Sequence, residues 1–440
     1  MDTARDIAVK ALVIIRRKGT WADEVLHSQL EKSNLSPEDA AFCSRLVYGV
    51  LQNQGLLDFY LGTFCKHSLK RLQPPLLDIL RTGAYQILFM DRVPDRAAVY
   101  ESVNLAKHFK REWGKGIINV VLRTVARKKK SLPPVPEKNR EEYLSIRYSH
   151  PPELVHRILE LLDEEEAERF LEANNTIPPI EVQVNPLRSV VEDLQREMGK
   201  NRILAVPHAF VPGCLELVGA GDLKALPMFQ EGKFYVQDPA GRLAILAADI
   251  RPGQRVMDVC AAPGGKSFGA ALAVGDRGRV VSCDVNAVRL QRVQEGAVRL
   301  GLDAIIQTAE ADGRRFHPSW AGRFDVVLVD VPCSGLGVIR KKPDIRYQSD
   351  MTYSSLLRVQ GAILANAASY VRPGGTLLYS TCTILPEENQ DVTKKFLAEH
   401  PDFSLSPFSL PSIGQTEGDV TLWPQRHGTD GFYICRMVRR

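Results

Sequence analysis

No stretch of the 440-residue chain approaches the roughly 18–20 apolar residues that span a bilayer. The longest N-terminal candidate, residues 11–15, follows Asp2 and Asp6 and runs into Arg16, Arg17 and Lys18. A signal peptide has the reverse order, basic residues first and a longer apolar stretch after them. The expectation is a soluble, cytoplasmic protein without a membrane partner. Cysteine is sparse: 8 residues are too few for a disulfide scaffold. No two of them form Cys-x-x-Cys, which excludes zinc ribbons and thioredoxin-type redox sites. No metal site is expected, and a functional cysteine must act as a single thiol. Internal repeats and low-complexity tracts are also missing. At 44% hydrophobic and 25% charged, the composition excludes fibrous and wholly disordered classes. The length implies about three domains at about 150 residues each.

The charge is unevenly spread. Residues 1–150 carry 25 Lys and Arg against 16 Asp and Glu, and residues 151–440 carry 32 against 36. A basic first third points to a polyanionic partner. That third reads as helical over 3–128, with apolar residues recurring at three and four, as in Phe42, Leu46, Val47 and Val50. Ser36-Pro37-Glu38-Asp39 is a helix start, a hydroxyl cap followed by proline and acids. A basic run at 127–130 and prolines at 133, 134 and 136 then mark a linker. The expected division is a helical domain over 1–130, a linker over 131–140, a small α+β module over 141–229 and a catalytic domain over 230–440. In the module, 152–162 and 190–198 read as helices, and 180–184 and 214–218 as strands. In the last domain 255–259, 279–283 and 324–329 read as buried parallel strands alternating with helices. A strand over 376–380 follows a turn at Arg372-Pro373-Gly374-Gly375, and 431–438 reads as a final strand. Such an open, doubly wound α/β sheet binds ligands at the carboxyl ends of its strands.

Chemistry concentrates at those ends. The run Asp258-Val259-Cys260-Ala261-Ala262-Pro263-Gly264-Gly265-Lys266 passes from strand through a loop of tiny residues into a helix, where free amides can meet a ligand. A phosphate-cradling P-loop would need glycine where Cys260 stands, and the three spaced glycines of a dinucleotide site are missing. Asp284, Asp312 and Asp330 end the following strands. A lone aspartate there is more often a helix cap, but three in series after a glycine loop suit a nucleoside, with Asp284 toward a ribose. Asp330-Val331-Pro332-Cys333-Ser334-Gly335 and Ser380-Thr381-Cys382-Thr383 each set a thiol just past a strand end. If the two strands are neighbours, both thiols open into one cleft. The other cysteines, Cys43, Cys65, Cys214, Cys283 and Cys435, fit the ordinary role of small buried hydrophobes. Basic segments at 66–71, 107–111, 127–130 and 340–342 could hold phosphates, or be solvated faces.

These runs, with Ser-Thr-Cys-x-x-x-x-Glu-Glu-Asn from Ser380 and His427-Gly428-x-Asp430-Gly431-Phe432, resemble the RNA cytosine-5 methyltransferase family over roughly 235–440. The first 125 residues resemble the NusB-type RNA-binding helical domain through Leu80-Arg81-x-Gly83-Ala84-Tyr85-Gln86-Ile87, Val93-Pro94 and Ala98-Val99-x-Glu101-x-Val103. One departure is Gln237-Asp238-Pro239, where family members usually carry an acidic or small residue in place of Pro239. The resemblance implies three parts: an all-α NusB-like domain, a small α+β module and a Rossmann-like α/β methyltransferase domain dependent on S-adenosylmethionine. It implies Cys382 as nucleophile, Cys333 as the thiol that helps release product, and Asp330 as partner of the base's amine and ring nitrogen. The donor would lie against Cys260, Ala261, Ala262, Pro263, Gly264, Gly265 and Lys266, near Asp330, with ribose toward Asp284 and adenine toward Asp312. Lys266 is a candidate for depressing a thiol pKa, or a plain surface charge. The implied substrate is cytosine in small subunit (16S-type) ribosomal RNA, and the expected state is a monomer. Two alternatives are methylation of transfer RNA or DNA, and a non-catalytic RNA-binding assembly factor. The second thiol at Cys382 and the missing Glu-Asn-Val segment argue against DNA, and the complete loop with both thiols argues against the silent factor.

Overall fold

The computed structural model describes residues 3–348 and 353–440, and the chain forms two compact units. The first is Met1–Ile177 together with Ile339–Ser349; the second is Pro178–Val338 and Asp350–Arg440.

The first unit holds α1 (Ala4–Lys18), α2 (Ala22–Glu31), α3 (Pro37–Gln52), α4 (Gln54–Phe64), α5 (Pro74–Phe89), α6 (Asp95–His108), α7 (Lys115–Lys128), α8 (Arg140–Tyr148), α9 (Pro152–Leu161) and α10 (Glu164–Ala173). Sequence sets their ends. Thr3 and Asp6 form a reciprocal capping box on α1, and Ser36 caps α3 ahead of Pro37 as expected. Their apolar stripes make one core that includes Leu12, Leu46, Leu80 and Leu122, all at most 3% exposed. Arg81 donates to both oxygens of Asp58, at 2.7 and 2.6 Å, so one residue of the helical motif serves as a buried ion pair.

The sequence reading sets 141–229 apart as one module, whereas the structure divides that stretch: α8, α9 and α10 lie in the helical unit and the strands after Ile177 in the other. A second difference is the strap 339–348, which closes the helical unit from far along the chain. Arg346, 4% exposed, donates through Nη1 to the carbonyls of Gln52, Tyr148 and Ser149, and through Nη2 to the Asn174 carbonyl and Asn175 Oδ1. Tyr347 Oη bonds the carbonyls of Leu51 and Ser149, and Asp344 accepts the Ala22 amide at 2.8 Å. Burial lowers the Arg346 pKa to about 10. Arg340, expected as a phosphate contact, is buried at 8% exposure, and Lys342 pairs with Asp23 at 3.4 Å. Of that basic segment, Arg340 is therefore committed to the interior.

The second unit opens with β1 (Ile180–Val184), α11 (Val191–Lys200), β2 (Leu204–Pro207), β3 (Cys214–Val218), α12 (Pro227–Gln230) and β4 (Phe234–Val236), an antiparallel sheet in the order β2-β3-β1-β4. It continues with α13 (Pro239–Ala247), β5 (Arg255–Asp258), α14 (Gly265–Val274), β6 (Arg279–Asp284), α15 (Ala287–Leu300), β7 (Ile306–Glu310), β8 (Phe324–Asp330), α16 (Tyr353–Ala368), β9 (Val371–Thr381), α17 (Gln390–Glu399), β10 (Phe403–Leu405), β11 (Phe408–Leu410), β12 (Gly414–Thr416), β13 (Asp419–Leu422), α18 (Pro424–His427) and β14 (Phe432–Arg439). The large sheet runs β10-β14-β9-β8-β5-β6-β7, parallel from β9 to β7 and antiparallel beyond. Its central strands are buried on both sides, which is why they read as unbroken apolar runs. The turn expected at 372–375 lies inside β9. The ladder to β8 jumps from Phe324↔Val371 to Val326↔Thr376, so proline and glycines form an irregular bulge rather than ending the strand. Pro239 is the first residue of α13, capped by Asp238, and the departure from the family pattern is thus a helix start. Among the described residues no helix is long and apolar enough to cross a membrane.

Candidate active site

β8 and β9 are parallel neighbours, in register at Asp330↔Ser380. The two segments that follow therefore leave the sheet at one edge, and their thiols meet: Cys333 Sγ lies 3.2 Å from Cys382 Sγ, both cysteines being free. Two glycines make this close crossing possible. The Gly337 amide donates to the Cys382 carbonyl at 3.0 Å, and the Gly431 amide to the Gly337 carbonyl at 2.8 Å. A Cβ on Gly337 would come within 1.9 Å of the Gly431 carbonyl oxygen.

Next to the thiols, β5 ends at Asp258 and the chain passes through Cys260, Ala261, Ala262, Pro263 and Gly264 into α14, which starts at Gly265. Gly264 has φ +114°, and a Cβ there would stand 2.5 Å from the Phe268 ring, so both backbone and packing require glycine. Lys266 Nζ donates to Asp330 Oδ2 at 2.7 Å, and Ser380 Oγ to Asp330 Oδ1 at 2.8 Å. Burial pushes the Lys266 pKa down, but the charge and hydrogen bond of Asp330, with Asp258, more than offset this and hold it above its ordinary value. Lys266 is thus an interior cation, not a surface charge.

A cavity of about 190 Å³ opens here, lined by Cys260, Ala261, Ala262, Pro263, Gly265, Lys266, Asp330 and Cys382. Val236, Gln237, Asp238, Gly241, Asp258, Val338, Asp430 and Phe432 complete it. Cys333 touches it only through Cys382. Asp284 and Asp312 are not in the lining. Asp284 accepts the Asn286 amide at 2.9 Å and, at 3.3 Å, the Ala262 amide of the loop. Asp312 is forked by Arg314, whose hydrogen bond holds its carboxyl at about 2. Both serve as local turn caps.

The lining adds residues to which the sequence reading gave no role. Asp258 accepts from Ser267 Oγ at 2.7 Å, and Ser267 in turn from Ser282 Oγ at 2.8 Å. Its other oxygen, Oδ1, and Oε1 of Gln237 are buried without a partner. Two orphaned acceptors beside several carboxylates call for a ligand rich in N–H and O–H donors and carrying positive charge. S-adenosylmethionine, with its amine, hydroxyls and sulfonium, fits that demand. A signal for both existed, since Asp258 ends a strand and Gln237 stands beside a helix cap.

Burial raises the Asp258 carboxyl to about 6, against the hydrogen bond from Ser267. The folded pKa lies above the ordinary value of 3.8, so this group favours folding fully below pH 4 and loses that contribution as pH rises toward 6. One pKa unit is about 1.4 kcal/mol, so the loss is on the order of 3 kcal/mol. Asp258→Asn is expected to lack it: the melting-temperature difference, variant minus wild type, should rise between pH 4 and 6.5 and then stay flat. A difference independent of pH would refute the assignment.

The family model described as 16S rRNA methyltransferase RsmB/F matches residues 245–438, that of the NusB family residues 2–127, and that of the RsmF/B-like ferredoxin-like domain residues 150–224. The "Probable ribosomal RNA small subunit methyltransferase B" of Bacillus subtilis is 33% identical, covering 100% of this chain and 99% of its own. The ribosomal RNA small subunit methyltransferase B of Klebsiella pneumoniae is 33% identical over 99% of this chain and 98% of its own. The chain belongs to the ribosomal RNA small subunit methyltransferase B family. S-adenosylmethionine is the methyl donor of this family, in keeping with the unpartnered acceptors and the carboxylates of the cavity. A crystal structure titled PH0851 superimposes with a TM-score of 0.80 at 27% identity, covering 99% of this chain and 98% of that one. NSun6 from Pyrococcus horikoshii, solved with SFG, superimposes at 0.58 and 22% identity over 66% of this chain and 98% of its own, a likeness of fold alone.

Proposed function

We propose that the protein methylates carbon 5 of a cytosine in small subunit ribosomal RNA through a covalent bond between Cys382 and the base. The observation that carries the reading is the 3.2 Å contact of two free thiols at the mouth of a cavity suited to the methyl donor. Carbon 5 of cytosine is a poor nucleophile; a thiolate added at carbon 6 makes it enamine-like, dividing one hard step into easier ones. The bound donor supplies a sulfonium methyl to that carbon.

Each residue then has a part. Cys382 lines the cavity and adds to carbon 6. Cys333 is held protonated, well above the ordinary thiol range, by its hydrogen bond to Cys382 and by burial. It can therefore donate S–H to the Cys382 sulfur when that sulfur must leave. Asp330 presents a carboxylate fixed by Lys266 and Ser380 to the exocyclic amine, and the Lys266 ammonium offers a donor to the ring nitrogen as negative charge reaches it. The loop Cys260, Ala261, Ala262, Pro263, Gly264 and Gly265 backs the donor, with Asp284, one hydrogen bond behind it, on the ribose side. Asp312 on the adenine side would have to share its Arg314 partner. The reading is of a monomer that acts in the cytoplasm.

The test is a covalent trap. Wild type, Cys333→Ala and Cys382→Ala are mixed with small subunit ribosomal RNA and S-adenosylmethionine and run on a denaturing gel. A protein–RNA adduct is expected from Cys333→Ala and none from Cys382→Ala. The reverse pattern would exchange the two thiols. An adduct formed with transfer RNA but not with ribosomal RNA would change the substrate.

A further inference from the structure

The two thiols sit on separate segments, and a carboxylate that the chemistry above does not use joins them. Glu388 has no exposed surface. Its Oε2 accepts the Ser334 amide at 2.9 Å and Gln360 Nε2 at 2.8 Å. Gln360 Nε2 also donates to the Pro332 carbonyl at 3.0 Å. Glu388 and Gln360 together thus hold the peptide groups on both sides of Cys333. The Glu388 carbonyl accepts from Tyr379 Oη on β9 at 2.7 Å, which fixes Glu388 to the strand that leads to Cys382. A second tie runs in parallel, Ser334 Oγ to Thr383 Oγ1 at 2.7 Å, between the residues that follow each thiol.

No lysine or arginine pairs with Glu388 among the described residues, and its Oε1 has no partner. Burying a carboxylate without a counter-charge is costly, and a glutamine would accept the same amide without that cost. What the charge adds is strength, since hydrogen bonds to a carboxylate are about twice as strong as neutral ones.

We propose that Glu388 is the positioning residue of Cys333, holding its thiol against the Cys382 sulfur so that this sulfur leaves the methylated base quickly. The inference rests on the thiol roles proposed above. In the release step the C5–H bond breaks and its proton passes to water. The electron pair forms the C5–C6 double bond, the C6–S bond breaks, and its pair returns to the Cys382 sulfur. That sulfur takes a hydrogen bond from Cys333 S–H, whose proton does not transfer. Addition of Cys382 to the base needs no Cys333 contact of this geometry, so a displaced Cys333 slows release and spares attack. The Glu388 charge is also among the causes that keep Cys333 protonated, after the Cys382 hydrogen bond and burial.

The experiment follows the adduct through a single turnover in wild type, Cys333→Ala, Glu388→Gln and Glu388→Ala, with melting temperatures measured alongside. Glu388→Gln keeps the shape, and its amide oxygen, standing where Oε2 stands, can still accept from the Ser334 amide and from Gln360 Nε2. The adduct is expected to form at the wild-type rate in Glu388→Gln and to decay about tenfold more slowly, as a weakened charge-assisted bond implies. In Glu388→Ala its decay should approach that of Cys333→Ala. Decay at the wild-type rate in both Glu388 variants would overturn the proposal. So would parallel losses of formation and decay with a lowered melting temperature in Glu388→Gln, which mark a general support of the fold. Release at the wild-type rate in Cys333→Ala would instead refute the thiol roles on which the proposal rests.

Discussion

Cys382→Ser is expected to transfer methyl groups at about 10⁻⁴ of the wild-type rate or less, with affinity for S-adenosylmethionine unchanged within about twofold. Removing a covalent nucleophile typically costs factors of this size. The change is nearly isosteric, and the residue is half-buried, so the Gly337 amide keeps its bond to the residue 382 carbonyl and the crossing of the two segments survives. What is lost is reactivity. A free thiol ionises near pH 8.5 and is intrinsically very nucleophilic, whereas a serine hydroxyl needs an adjacent general base. The groups beside it are a thiol and the Lys266–Asp330 pair, neither built to take a serine proton. Transfer of a labelled methyl group to ribosomal RNA, with donor binding by calorimetry, measures both quantities. Residual activity above about 10⁻² would mean that Cys382 is not the attacking group.

The second large effect lies far from the chemistry. Arg346→Met is expected to destabilise the helical unit by about 4 kcal/mol, because it strands the carbonyls of Gln52 and Asn174 and Oδ1 of Asn175, and takes one donor from the carbonyls of Tyr148 and Ser149. For a unit of this size that is about 10 °C in melting temperature. Arg346→Lys should recover little, since an ammonium cannot reproduce a planar fork. Differential scanning calorimetry checks both, and a shift under about 2 °C in Arg346→Met would show that the strap is held by other contacts.

The contrast between these two residues shows what the sequence could reveal. Cys382 is legible because chemistry at a strand end needs a particular side chain at a fixed offset, and its neighbour Cys333 follows the adjacent strand by the same rule. The parallel strands are legible because burial on both faces leaves only apolar residues between a polar start and an aspartate. Six short strands escaped: Leu204–Pro207 ends in proline, and Phe234–Val236, Phe403–Leu405, Phe408–Leu410, Gly414–Thr416 and Asp419–Leu422 have too few residues for a period of two to show. The bulge in β9 escaped because proline and two glycines read the same inside a ladder as before it. Arg346, and the role of Glu388 within the motif that starts at Ser380, escaped for a deeper reason. A buried charge looks like a surface charge until the carbonyls or amides that meet it are known, and those come from distant positions. Asp312 shows the converse, an acid at an expected place whose partner, Arg314, is local.

The strap also imposes an order on synthesis. The ribosome delivers α1–α10 with the carbonyls of Gln52, Ser149 and Asn174 still hydrated, and residues 339–348 emerge only after β8 has been made. At about 5–20 residues per second, that interval is on the order of ten seconds. Throughout it the helical unit is a nascent body lacking its final buried contacts, open to chaperones and proteases. Separating it from the second unit, by gene fission or by expression as a fragment, would make that interim condition permanent.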